Sequence, residues 1–292
     1  MCDYKIISDG SCDIPLDVAK ELNIEVIPFS VQFKDNDYLK EGYELPCEKL
    51  YQEMVDNPGV FPKSSLPSTQ DYYDSFLKYV NLGLKVICLC ITRKFSGSFN
   101  SAMNARTMVL DENPNAEITI IDTTVNTVLQ GLVVKEACKL RDNGATYEEV
   151  IKSIEDNKET GRIFFTVSEL SYLQLGGRIG KLASIVGDIL RITPLITLKE
   201  GEIFSSGIAI SRKRALMKVK DLLAKYMKEV NATPDTYRLA VGYGYDKEEG
   251  YQFKEQLQKL YPEYNIDIEH IGATIGVHTG PHPLGVGIIK KF

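Results

Sequence analysis

The chain has 292 residues, of which 43% are hydrophobic and 25% are charged, and its formal net charge is −6. This length suits one large domain or two ordinary ones, and the composition is that of a globular protein that folds in water. The negative charge argues against a general nucleic-acid-binding protein, so we expect no nucleic-acid partner.

In the first half of the chain, predicted strands alternate with predicted helices. In chain order, the patterns predict a strand at 5–9, a helix at 17–22, a strand at 26–33, a hairpin turn at 34–37, helices at 47–55 and 70–80, a strand at 85–91, a helix at 98–110, a strand at 118–121 and a helix at 127–143. The run at 85–91 is continuously apolar, which is typical of a parallel strand buried on both faces. The alternation predicts βαβ units and a mainly parallel sheet.

The pattern changes after Gly161. Thr146 and Glu149 form a capping box that opens one more helix, ending near Asn157. The patterns then predict a strand at 162–167, a helix at 168–175, strands at 192–198 and 202–208, a helix at 214–230, a strand at 238–243, a helix at 247–261 and strands at 266–271 and 286–290. The short turn at 199–201 favours antiparallel pairing. We predict two domains, an α/β/α domain with a parallel sheet at 1–162 and an α+β domain with a largely antiparallel sheet at 163–292.

The six cysteines form no C-x-x-C pair and no zinc-ligand spacing. Cys88 and Cys90 fall in an apolar run, so we expect buried free thiols, as in a reducing cytoplasm. The first residues lead directly into a predicted strand, so we expect no signal peptide. No apolar run approaches the roughly 20 residues of a membrane-spanning helix. The sequence therefore predicts a cytoplasmic protein without an integral membrane segment.

Polar loops follow three predicted strands of the first domain, at 8–11, 96–98 and 122–124. In an open parallel sheet such loops share the edge where ligands bind. Gly97 allows close approach of a ligand, and a helix beginning at Ser98 favours an anion at its N-terminus. The alternative is that these serines and threonines only form turns and caps. Because the loops share one edge, we predict that at least one of them binds a ligand. A fourth polar loop, at 63–68, either offers hydroxyls or caps the next helix.

Candidate cations for an acidic head group lie in the second domain. The pair Gly176–Gly177 is predicted to end a helix with a positive φ angle and to present Arg178 just beyond it. Arg212 lies at the start of another helix. For each arginine alone, the alternative is a solvated or helix-end charge.

The histidines predict no metal site. His278, in a predicted turn at 277–281, either donates to an anion or satisfies a turn carbonyl, and His270 is predicted to be structural. His278 and His282 are four residues apart, but a glycine and two prolines exclude the helical zinc pair. Asp9 and Asp122 have metal-binding carboxylates, yet their serine and threonine neighbours favour loop capping. The sequence contains no P-loop and no G-x-S-x-G motif, and we predict no catalytic residue, metal or cofactor.

Five motifs in this order resemble those of the DegV family, and the resemblance covers nearly the whole chain. They lie at 8–15, 63–68, 96–102, 173–179 and 278–281, and resemble S/T-D-S-T/S-x-D-L-P, K-T-S-Q-P-S, S-G-T-Y-x-S-A, L-x-x-G-G-R-I and H-x-G-P. Arg212 falls at a helix start similar to R-x-R/K-K-A. The chain departs from the family pattern at Gly10, which replaces a usual hydroxyl, at Arg93–Lys94, and at His282–Pro283, where the family often has Gly-Ala.

The resemblance implies a protein that binds a single long-chain fatty acid in a tunnel between two domains. The first domain would carry the head-group loops, and the second would form the other wall. The resemblance assigns the carboxylate to Ser64 or Ser65 with Ser96 and Ser98, and the mouth of the tunnel to Arg178, Arg212 and His278. Gly97 and Thr279 complete the ligand-binding set.

In bacteria, proteins of this type present the fatty acid to a separate ATP-dependent fatty acid kinase, which makes acyl-phosphate for phospholipid synthesis. The resemblance thus implies a non-catalytic subunit and allows transient contact with a membrane. Three alternatives remain open. They are a small-molecule kinase component, a serine hydrolase that uses Ser96, and a lipid sensor that acts without phosphorylation.

Overall fold

The computed structural model describes residues 3–185 and 193–292. Its strands are β1 (Tyr4–Asp9), β2 (Glu25–Ile27), β3 (Ser30–Gln32), β4 (Leu39–Lys40), β5 (Lys63–Ser65), β6 (Lys85–Cys90), β7 (Ile118–Asp122), β8 (Arg162–Thr166), β9 (Thr193–Lys199), β10 (Glu202–Ala209), β11 (Tyr237–Tyr243), β12 (Ile266–His270) and β13 (Leu284–Lys290). Its helices are α1 (Leu16–Glu21), α2 (Cys47–Asp56), α3 (Thr69–Val80), α4 (Ser98–Glu112), α5 (Thr127–Asp142), α6 (Tyr147–Asn157), α7 (Ser171–Leu175), α8 (Arg212–Glu229), α9 (Lys247–Leu260) and α10 (Ala273–Thr279). Cys2 and the first residue of the strand predicted at 192–198 lie outside the described residues.

The first sheet is parallel throughout and has the strand order β2-β1-β6-β7. Strand β1 is buried along its whole length because helices cover both faces of the sheet. Helices α3 and α4 pack on one face, whereas α5 and α6 pack on the other. This confirms the predicted α/β/α arrangement.

The second sheet has the strand order β10-β9-β8-β13-β11-β12. All of its neighbouring strands are antiparallel except β11 and β12. Helices α8 and α9 cover one face with an apolar core of their own. The largely antiparallel sheet predicted for the C-terminal half is therefore confirmed. The exact domain boundary at residue 162 stays a prediction.

Helix α5 connects the two sheets. It is buried along most of its length, since one side packs on β1 and the other on β11 and β13. Leu129 of α5 shares a core with Ile196 and Ile289 of the second sheet. A Cβ atom placed on Gly287 would lie only 2.6 Å from Leu129 Cδ2, so the helix packs directly onto the backbone of β13. The N-terminal end of α5 thus faces both halves of the molecule.

The strand predicted at 26–33 is wrong in one respect, because the structure divides it at Pro28. Strand β2 belongs to the parallel sheet, whereas β3 leaves it and pairs with β4 and β5 in a small antiparallel sheet. Proline has no N–H group to donate to a strand ladder, which favours the break at this position. The segment predicted as a loop at 63–68 consequently begins with a strand. Pairing with β3 fixes the register of Ser64 and Ser65.

A second difference concerns the predicted turn at 277–281. Helix α10 runs through Thr279, so His278 lies in the last helical turn and not in a loop. The helix has seven residues and contains Gly276, which explains why periodicity did not reveal it. No helix within residues 3–185 and 193–292 is both long and apolar enough to cross a bilayer.

Candidate ligand-binding site

A cavity of about 250 Å³ lies between the two halves of the molecule, beside the start of α5. Most of its wall is apolar and comes from the second sheet, from the segments that follow β2, β5 and β6, and from α10. The apolar lining residues are Phe29, Leu66, Ile91, Phe95, Val128, Ile163, Phe165, Leu173, Leu198, Ile203, Ile271, Ile275, Pro283 and Leu284. Such a wall suits an extended hydrocarbon chain and offers it few hydrogen bonds.

Polar side chains gather in one part of this wall. Strand β5 contributes Ser64, and helix α10 contributes His278, whose Nε2 lies 2.9 Å from Ser64 Oγ. Arg178 lies beside them, because its Nε donates to the Phe95 carbonyl at 3.0 Å and its Nη1 donates to the Gly176 carbonyl. Four segments that are far apart in sequence therefore meet at one end of an apolar cavity.

The two glycines before Arg178 have different structural roles. Gly177 has a φ angle of +69°, a conformation that glycine adopts without strain, and this confirms the predicted helix stop. Gly176 has an ordinary φ but leaves room for the histidine. A Cβ atom there would lie 2.3 Å from His278 Nδ1. Gly177 thus turns the chain so that Arg178 follows the helix end, and Gly176 lets the His278 ring pack against the backbone there.

The electrostatics of this end favour an anion. Burial and the neighbouring Arg178 charge lower the pKa of His278 to about 4, so the imidazole is neutral at pH 7. Arg178 itself is half-buried, and its only hydrogen bonds within the described residues go to the two backbone carbonyls. No carboxylate of the described chain forms an ion pair with it. The guanidinium therefore keeps a full charge and spare N–H donors at the cavity.

The residues of the predicted loop at 96–98 have two different roles. Ser96 lines the cavity, and its Oγ accepts a hydrogen bond from the Ser98 backbone N–H at 3.1 Å. Ser98 is fully buried behind the wall, where its hydroxyl donates to Asp9 at 2.7 Å and lies 2.6 Å from the Tyr72 hydroxyl. Gly97 also lies outside the lining and packs against Leu66. Ser98 and Gly97 shape the loop, whereas Ser96 and Ser65 contribute directly to the lining.

Asp9 organises the polar edge of the parallel sheet. Its carboxylate accepts from Ser11 at 2.6 Å, from Ser98 at 2.7 Å, from Gln130 at 2.8 Å and from the Ile91 N–H at 3.0 Å. Burial raises its pKa, against the four hydrogen bonds that favour the ionised form. This arrangement agrees with loop capping. Across the described residues there is no group of three side chains suited to a metal ion.

Arg212 lies outside the cavity lining, against the loop at 280–283 (the tail loop), of which Pro283 does line the cavity. Arg212 Nη2 forms an ion pair with Glu249 at 2.8 Å, and its Nη1 donates to the His282 carbonyl at 2.8 Å. Arg212 therefore braces the tail loop, and its charge is already compensated. Thr279 does line the cavity, although its hydroxyl donates to the Ile275 carbonyl at 3.1 Å.

Three further polar residues of the cavity wall were not predicted from the sequence. These are Asn126 and Thr127 at the start of α5 and Thr274 in α10. The Thr127 hydroxyl donates to Asp13, and the Thr274 hydroxyl donates to Glu41. The one available signal was Asn126, because asparagine just before an apolar helical pattern is a typical N-cap.

Fold and site together define a two-domain α/β protein with a largely apolar cavity that has an arginine in its wall. The family model described as "Uncharacterised protein, DegV family" matches residues 3–291. The chain belongs to the DegV family, as the motifs had indicated.

Individual relatives agree over the full length. A DegV domain-containing protein of Clostridium perfringens is 28% identical over 285 residues, covering 97% of this chain and 96% of the relative. Among solved structures, a stearic acid-binding protein from Eubacterium ventriosum is 38% identical with a TM-score of 0.92, covering 99% of this chain and 98% of that one. A fatty-acid-binding DegV family protein from Thermus thermophilus is 26% identical with a TM-score of 0.87, covering 99% of both chains. The two-domain fold is thus that of the DegV family.

Proposed function

We propose that this chain binds one long-chain fatty acid, with the acyl chain in the apolar cavity and the carboxylate beside Arg178. The observation that carries this proposal is the arginine, which no carboxylate of the described chain neutralises, at the end of an apolar cavity. A ligand that complements both features needs one anionic group and a long apolar body. The fatty-acid-binding proteins similar to this chain support the same assignment.

The energetics divide between the two ends of the ligand. A chain of ~16 carbons gains roughly 0.8 kcal/mol per buried CH₂, of order 10 kcal/mol before the entropy loss of binding is subtracted. Burying a carboxylate without partners would cancel much of this gain, so hydrogen bonds and a cation must compensate. We therefore propose that burial of the acyl chain supplies most of the affinity and that the bonds to the carboxylate fix the orientation of the ligand.

For the polar end we propose that Ser64, Ser65, Ser96, Arg178 and His278 surround the carboxylate. The Nε2 of the neutral His278 lies 2.9 Å from Ser64 Oγ. When this nitrogen carries the proton it donates to Ser64, and the Ser64 hydroxyl proton is then free for the ligand. The arrangement lets the hydroxyls and the guanidinium share one negative charge. Thr279 belongs to the same wall, while Gly97 and Ser98 act by holding the Ser96 loop in place.

We further propose that the bound acid is presented to a separate fatty acid kinase. In that reaction a carboxylate oxygen attacks the γ-phosphorus of ATP, and ADP leaves as acyl-phosphate forms. Two points support a separate kinase. One is the family resemblance, and the other is the lack of a P-loop in the sequence. The described cysteines are all unpaired thiols, which supports a reducing compartment such as the cytoplasm.

One contact favours a rival function, that of a serine hydrolase. The Ser64–His278 distance of 2.9 Å is that of a nucleophile and its base. However, His278 Nδ1 is buried without a partner among residues 3–185 and 193–292, so no carboxylate of those residues orients the ring. The lowered pKa also makes the imidazole a weak base. Ser96, the nucleophile considered from sequence, is bonded to a backbone N–H and to no base among the described residues. We therefore favour binding over hydrolysis.

The test is ligand loading of delipidated protein, measured by native mass spectrometry and calorimetry. We expect one palmitate per chain and weaker binding of hexadecanol, which lacks the charge. Arg178→Gln should weaken palmitate binding by about tenfold or more while hardly changing hexadecanol binding, because an interaction with a charged group is worth about 1.5–3 kcal/mol. Arg93→Gln is the matched control, since Arg93 is exposed and stacks on Phe99 outside the cavity.

Three results would count against the proposal. The first is a protein that gains no mass with excess palmitate. The second is equal loss of acid and alcohol in the Arg178 variant. The third is release of palmitate from its p-nitrophenyl ester at a rate that depends on Ser64, which would favour the hydrolase.

A further inference from the structure

Asn126 lies in the cavity wall, and its side chain forms no hydrogen bond within the described part of the chain. Its residue is only 9% exposed, and its Oδ1 is sealed from solvent without a hydrogen-bond partner. No protein group within the described residues bonds to its Nδ2 either. A buried primary amide ordinarily satisfies at least part of its hydrogen-bonding capacity. The Asn126 amide, in the wall of a ligand cavity, therefore lacks a hydrogen-bond partner that a polar group of the ligand would supply.

The local backbone explains why the amide is free. Asn126 occupies the N-cap position of α5, where an asparagine side chain usually accepts from the first helical N–H groups. Here the side chain makes no capping bond. The next residue, Thr127, has a φ angle of +47°, in the left-handed region that β-branched residues rarely adopt. The chain thus enters α5 through an unusual conformation next to an asparagine that does not cap.

The neighbouring threonine hydroxyls, unlike the Asn126 amide, already donate their protons to other side chains. Thr127 and Thr274 also line the cavity, but the Thr127 hydroxyl donates its proton to Asp13 and the Thr274 hydroxyl donates its proton to Glu41. The serines and Arg178 belong to the carboxylate end. Asn126 is therefore a polar side chain of the cavity wall whose hydrogen-bonding capacity the described residues leave unused.

We propose that Asn126 recognises a hydroxyl group on the acyl chain, so that the preferred ligand is a hydroxylated long-chain fatty acid. This inference rests on the proposed function and specifies the class of ligand. An unsubstituted acyl chain would displace water from the cavity and leave the amide unpaired. A hydroxyl both donates and accepts, so it satisfies either end of the amide. The surrounding apolar wall leaves the hydroxyl without competing water.

The test compares stearate with a series of hydroxystearates that differ only in the position of the hydroxyl. Dissociation constants are measured by calorimetry for the wild type, for Asn126→Leu and for a matched control, Asn143→Leu. Asn143 is the exposed residue at the other end of α5. We expect at least one hydroxystearate to bind roughly three- to tenfold more tightly than stearate, the ratio that one net hydrogen bond supplies. Asn126→Leu should abolish this ratio, and Asn143→Leu should keep it.

The outcomes separate this inference from the proposed function. If the wild type binds stearate and every hydroxystearate equally, or if the ratio survives Asn126→Leu, the role of Asn126 is refuted while fatty-acid binding stands. If no variant binds any of these acids, the proposed function itself is refuted. Asn126→Ala provides the same comparison with a smaller side chain if the leucine variant does not fold.

Discussion

Replacing His278 by glutamine should make the protein more resistant to acid. In the folded chain, burial and the Arg178 charge hold the pKa of His278 near 4, whereas the ordinary value is 6.5. Below pH 6.5 the unfolded chain therefore binds a proton at His278, whereas the folded chain stays unprotonated there until the pH approaches 4. The free energy of unfolding consequently falls as the pH drops. Above pH 6.5 both states are neutral at this position, and the penalty disappears.

The size of the effect follows from the two pKa values. Relative to pH 7, the histidine should reduce the free energy of unfolding by about 1 kcal/mol at pH 5.5 and by about 2 kcal/mol at pH 4.5. Glutamine cannot titrate, and its amide can replace the bond to Ser64. Buried carboxyls such as Asp9 and Asp13, whose pKa values are raised, act with the opposite sign, but they are present in both proteins and cancel in the difference.

Urea unfolding of ligand-free wild type and His278→Gln at pH 7, 5.5 and 4.5 measures this difference directly. NMR titration provides an independent reading, because the chain has only three histidines. The reasoning is refuted if the two stability curves stay parallel down to pH 4.5, or if all three imidazoles titrate near pH 6.5.

Three further predictions concern the site. The double change of Ser65 and Ser96 to alanine should weaken palmitate binding by more than tenfold, since each bond to a carboxylate is worth about 1.5–3 kcal/mol, and equal loss of hexadecanol in calorimetry would contradict this. Gly176→Ala should destabilise the fold by about 1–3 kcal/mol, because its Cβ would lie 2.3 Å from His278 Nδ1, and an unchanged urea midpoint would argue against that contact. Arg212→Ala should retain bound fatty acid, because Arg212 lies outside the cavity lining, but it should slow acyl-phosphate formation with a cognate kinase and ATP. Loss of bound lipid with an unchanged rate of acyl-phosphate formation would contradict this role of Arg212.

Sequence patterns were sufficient for the local structure because they report on residues that are close along the chain. The capping box that opens α6 at Thr146 is present, as the three-residue spacing predicted, and Ser68 caps α3, one of the two roles considered for its loop. The glycine pair ended α7, and the alternation of strands and helices gave the parallel sheet. The motif order was also sufficient for the family, since five short motifs in sequence are far more specific than one.

The partners of the site residues were decided only by tertiary structure. Ser64 meets His278 across 214 positions, and Ser98 turns away from the cavity to Asp9 across 89 positions. Arg212 is neutralised by Glu249 from another helix. A sequence pattern specifies which side chains can donate or accept, but each of them had several chemically equivalent partners. The packing of α5 between the two sheets selected among these partners, because only that packing brings the carboxyl ends of the strands, the small sheet and α10 to the same cavity.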